Sequence, residues 1–60
     1  MYDLEQKVIE VLKNEPKGVA VLLVSKKVGK PPVEVRRILE SLVEKGLVEV
    51  KGKNYRLKTG

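Results

Sequence analysis

Residues 32–45 read PVEVRRILESLVEK, and Gly46 follows them. Val35, Ile38, Leu39, Leu42 and Val43 recur at i, i+3, i+4, i+7 and i+8, the spacing of one helix face. Pro32 suits a first helical turn, where its missing N–H leaves no bond unmade. Gly46 suits the left-handed position just past a helix end. The spacing therefore predicts a helix over 32–45 with both ends marked. At about 100° per residue, Val33, Arg37, Glu40, Ser41 and Glu44 point away from the apolar face, and Arg36 lies on its flank. Two arginines near the helix start are thus left free of the core.

Upstream, residues 19–24 read VAVLLV and have strand composition. Yet Val21, Val24, Ser25 and Val28 share a helical face, with Lys26 and Lys27 opposite. A helix over about 20–28 is expected, with Val19 in a short edge strand before it. Gly29, Lys30 and Pro31 leave room only for a tight turn into the next helix, which is helix-turn-helix spacing. Further back, Leu4, Val8, Val11 and Leu12 form one stripe with Ile9 at its edge. Asp3 is the expected N-cap, with Gln6 as its capping-box partner. Residues 14–18, NEPKG, break this first helix.

Downstream, placing Gly52 and Lys53 at the centre of a two-residue type II′ turn sets a hairpin register. Lys51 then faces Asn54, Val50 faces Tyr55, Glu49 faces Arg56 and Val48 faces Leu57. The apolar pairs fall on one face, expected to meet the core, and the opposite charges fall on the other. Lys51, Lys53, Arg56 and Lys58 make this hairpin basic.

Sixty residues are expected to form one small domain over 1–60, with marginal stability. There is no cysteine and no histidine, so disulfides, thiolate metal sites and the commonest general base are absent. Ser25, Ser41 and Thr59 have no histidine to activate them, and the five glycines stand singly instead of forming a phosphate loop. No enzyme activity, cofactor, metal or small-molecule substrate is expected. No signal peptide is evident, and the longest apolar run is far too short to span a membrane. A soluble, cytoplasmic chain is expected, with no membrane partner.

Charge is uneven. Residues 1–16 carry two lysines against four carboxylates, a net of −2, and residues 17–60 carry eleven Lys/Arg against four glutamates, a net of +7. A basic body behind a mildly acidic first helix points to a polyanionic partner. The abundance of Lys and Glu over amide residues also suits a thermophile.

The order helix, turn, helix, turn, helix, basic hairpin resembles the winged helix-turn-helix family over nearly the whole chain. The carrying strings are Val24-Ser25-Lys26-Lys27-Val28-Gly29 at the end of the second helix, and Val35, Arg36, Arg37, Ile38, Leu39 and Leu42 along the third. Gly46-Leu47-Val48 and Tyr55-Arg56-Leu57 complete the pattern. The resemblance implies an α+β, mainly α, winged helix-turn-helix: three helices with a C-terminal β-hairpin wing. It implies binding of double-stranded DNA through the third helix and wing, in a nucleoid-associated transcriptional or chromatin regulator, or in the DNA-binding domain of a larger protein. Many such domains are instead protein-interaction modules.

Three positions depart from the family pattern. Ser25 stands where alanine is usual, and a bond from its hydroxyl to a carbonyl one turn back is expected. Pro31-Pro32 replaces a hydroxyl-bearing cap that often touches phosphate. Leu22 and Leu23 replace polar residues.

Arg36 and Arg37 are the best candidates for reading bases or phosphates, since arginine bonds guanine O6 and N7 in parallel. Either can instead pair with Glu40 along the helix. Lys26, Lys27 and Lys30 flank the turn, Lys51, Lys53 and Arg56 sit in the wing, and Val33 points outward beside the turn; all are DNA-contact candidates. Tyr2 and Tyr55 are the only aromatics, so a stacking platform for single strands is not expected. Leu22 and Leu23 form a candidate protein interface, for a homodimer or another partner, because exposed apolar patches mark interfaces.

Overall fold

In the computed structural model, which describes residues 3–58, the elements run α1 (Leu4–Lys13), β1 (Val19–Ala20), α2 (Val21–Val28), α3 (Pro32–Glu44), β2 (Val48–Lys51) and β3 (Asn54–Leu57). Tyr2 and Thr59 lie outside the described residues. The Asp3 carboxylate accepts the Gln6 backbone N–H at 2.9 Å, so it satisfies one of the free donors at the start of α1. Glu5 in the first turn and Lys13 in the last agree with the helix dipole.

The second helix starts one residue later than its apolar pattern suggests. Ala20 is extended and pairs with Asn54, while Val19 pairs with Tyr55. This two-residue strand makes β3 the centre of a three-stranded antiparallel sheet in the order β1-β3-β2. Gly18 lets the incoming loop lie against β3: a Cβ there would stand 3.2 Å from the Asn54 Cβ, and its φ is +104°.

At the end of α3, the Gly46 N–H bonds the Val43 carbonyl and the Leu47 N–H bonds the Leu42 carbonyl, both at 3.0 Å. These two bonds are the pattern that closes a helix on a left-handed residue. The hairpin has the expected register, from Val48↔Leu57 to Lys51↔Asn54. Gly52 alone in the turn has positive φ, as a type II′ turn requires.

Every helix, β1 and β2 contribute to one core: Val8, Leu12, Val19, Val24, Val35, Leu39, Leu42 and Val48 are buried. The chain is thus a mainly helical α+β winged helix. The hairpin face differs from expectation at its far end. Tyr55 packs against the core as expected, but Val50, on the same face, is 48% exposed. The helical core ends before the wing tip does, so Val50 has little to pack under.

Ser25 also bonds differently from expectation. Its buried hydroxyl donates forward to the Lys30 carbonyl, across the helix-turn-helix turn. Its own carbonyl accepts the N–H groups of Gly29, at 2.9 Å, and Lys30, at 3.3 Å. One residue therefore ties both sides of the turn that orients α3.

Candidate nucleic-acid interface

The start of α2, the first half of α3 and the wing tip enclose an open groove of about 580 Å³. Val35, Leu39 and Leu42 bury the opposite side of α3, which fixes the rotation that turns Val33 and Arg36 outward. Leu22, Pro32 and Val33 form the apolar wall of this groove, Tyr55 lines it from the wing, and Arg36 and Lys53 supply its cations. Leu22 is 65% exposed and Val33 63%.

Arg36 is engaged on its own helix: its Nε lies 3.4 Å from a Glu40 oxygen, with both side chains mostly exposed. Such a pair, with arginine preceding glutamate, contributes only a few tenths of a kcal/mol, about 0.2–0.5, and yields readily to a phosphate. Arg37 and Lys53 have no ion pair among the described residues. The expected alternative pairing of Arg37 with Glu40 is not formed.

The candidate residues separate into groups. Val33, Arg36 and Lys53 share the groove, and Leu22, expected at a protein interface, joins them there. Lys26, Lys30, Arg37 and Lys51 are exposed outside its lining. Leu23 is 43% exposed and also lies outside it.

Lys27 and Arg56 are not brought to the groove. Lys27 turns toward α1, with its ammonium 3.9 Å from Glu15. Arg56 lies 3.4 Å from Glu49 and borders a hollow formed with Leu12, Lys13, Pro16 and Leu57. The cause for Arg56 is strand alternation: it occupies the face of β3 opposite Tyr55. For Lys27 it is the roll of α2, which must bury Val24 and Ser25.

Tyr55 packs against the core, as residue patterning assigned it, and its half-exposed remainder lines the groove, a role that patterning did not assign. Its position two residues from the turn, opposite exposed Val50, is the signal that could have marked it. Among the described residues, no cluster of three acidic side chains could hold a metal, and no helix is long and apolar enough to cross a membrane.

No curated protein matches the chain. A solved structure describing the binding mode of the Cyprinid Herpesvirus 3 ORF112-Zalpha to Z-DNA is similar in fold. Its TM-score is 0.85 at 21% sequence identity, covering 92% of this chain and 92% of that one. The profile of the IclR helix-turn-helix domain matches residues 7–52, a stretch that runs from α1 to the wing turn. The chain belongs to the IclR helix-turn-helix domain family and is a DNA-binding domain of transcription-regulator type.

Proposed function

We propose that residues 1–60 act as one winged-helix domain on double-stranded DNA, with α3 at the major groove and the β2–β3 wing on the backbone. The observation that carries this reading is the groove itself, where Val33 and Arg36 of α3 face Lys53 of the wing across one concave surface. Lys26, Lys30, Arg37 and Lys51 are exposed on the same elements and the turn between α2 and α3, available to neighbouring phosphates. The domain serves a cytoplasmic, nucleoid-associated transcriptional or chromatin regulator, either alone or as part of a longer chain. It works by binding and not by catalysis, without cofactor or small-molecule substrate.

A titration with random-sequence duplex at several salt concentrations tests this. About five phosphate contacts give a log–log salt slope of about −4 to −5, and Lys53→Ala lowers its magnitude by about 1. A flat salt dependence overturns the reading.

The exposure of Leu23 outside the groove favours a second activity for the same domain: self-association through Leu23. Sedimentation at rising concentration is expected to show a dimer that Leu23→Lys abolishes while the fold is kept. A strictly monomeric wild type removes the dimer.

A further inference from the structure

The wall of the groove poses a chemical question that its cations do not answer. In helix-turn-helix proteins the first residues of the recognition helix meet the base edges. Here those residues are Pro32 and Val33, and the neighbouring side chain from α2 is Leu22. None of the three side chains can donate or accept a hydrogen bond. Leu22 and Val33 are also the two most exposed of the large aliphatic side chains. One exposed leucine is ordinary, but two aliphatic residues sharing a groove with Arg36 and Lys53 form a shaped surface.

We propose that Leu22 and Val33 read the 5-methyl group of thymine in the major groove. The C5-methyl is the apolar feature that a base pair displays there, and aliphatic side chains are its natural contacts. Charge complementarity selects the occupant. A purely apolar partner seated on this wall would desolvate Arg36 and Lys53 without satisfying them, whereas a duplex offers both of them phosphate or base acceptors.

The helix geometry adds a spacing. Val33 and Arg36 are three residues apart and lie on one side of α3, about 4.5 Å from each other along its axis. Base pairs rise about 3.4 Å, so a methyl group read by Val33 lies one or two base pairs from a guanine edge read by Arg36. A preferred site thus contains a thymine close to a guanine.

This inference rests on the proposed binding of duplex DNA, and its test separates the two. A preferred duplex is selected from a random pool. Each thymine in it is then replaced in turn by deoxyuridine, which removes only the methyl group. At one or two thymines the replacement is expected to lower affinity about fourfold, the effect of burying one methyl group. In Val33→Ser or Leu22→Ser, with fold confirmed by circular dichroism, the same replacement is expected to have no effect. Equal affinity for thymine and uracil duplexes, with the steep salt slope retained, overturns methyl reading and leaves DNA binding intact. Failure to bind any duplex overturns both.

Discussion

On the α1 side of the molecule, Lys45 meets Glu5 at 3.1 Å, Lys27 lies 3.9 Å from Glu15, and Arg56 lies 3.4 Å from Glu49. In the groove, Arg36 pairs with Glu40 and Lys53 has no carboxylate partner among the described residues. The contrast is not one of cation number. Exposed ion pairs add little stability, with a median of about 0–1 kcal/mol, so the pairs on the α1 side do not exist to hold the fold. Their effect is to neutralise Lys27, Lys45 and Arg56 locally. Residues 1–16 carry a net charge of −2 and residues 17–60 one of +7, so a polyanion approaching by diffusion is steered away from α1.

The sharpest way to break this comparison is to remove matched pairs of cations from the two sides. Arg36→Ala with Lys53→Ala is expected to weaken duplex binding by about 2 kcal/mol, on the order of 30-fold. Lys27→Gln with Arg56→Gln is expected to change it less than about threefold. Fluorescence anisotropy at one fixed salt concentration checks both, and equal losses would mean that the two sides do not differ.

Ser25 sits where the two sides join. Ser25→Ala leaves the Lys30 carbonyl without its side-chain donor, which is expected to destabilise the fold by about 1 kcal/mol in a denaturant titration. Affinity measured well below the melting temperature should change little. If affinity falls while stability is unchanged, the serine positions α3 without supporting the core.

The smallest effect belongs to Glu40. Glu40→Gln frees Arg36 and removes a carboxylate from the groove rim. Duplex affinity is expected to rise two- to threefold, and stability to move by no more than about 0.5 kcal/mol. A loss of affinity would show that Glu40 orients Arg36 for binding.

Much of this architecture is legible in local sequence. The α3 stripe, the Asp3 cap, the Gly46 terminus and the hairpin register all follow from residues close to each other in the chain. The exceptions share a physical cause. Whether Val50 is covered depends on how far the core extends under the wing, and strand parity carries no information about that distance. The forward bond from Ser25 to Lys30 depends on how tightly the turn closes. Lys27 and Arg56 are basic like the groove cations, but only the packed roll of α2 and the face of β3 decide where their charge points. Charge counted along the chain locates a binding body; assigning its members to a surface requires the three-dimensional neighbours.

β1 is two residues long, and α2 begins at the residue after it, with no intervening loop. Because Val19 and Ala20 are hydrogen-bonded into β3, the strand that leaves the wing turn is stitched to the first residue before α2. The strand acts as a strut between the wing and α2. A load placed on the wing tip at Lys53 is carried along β3 to Tyr55, across the pairing to Val19, and from there into the backbone of α2. The pairing couples the wing to the helices. In the proposed complex, a duplex gripped at both places would be held near the spacing between them, and a mismatch in its curvature would be absorbed largely by bending of the nucleic acid.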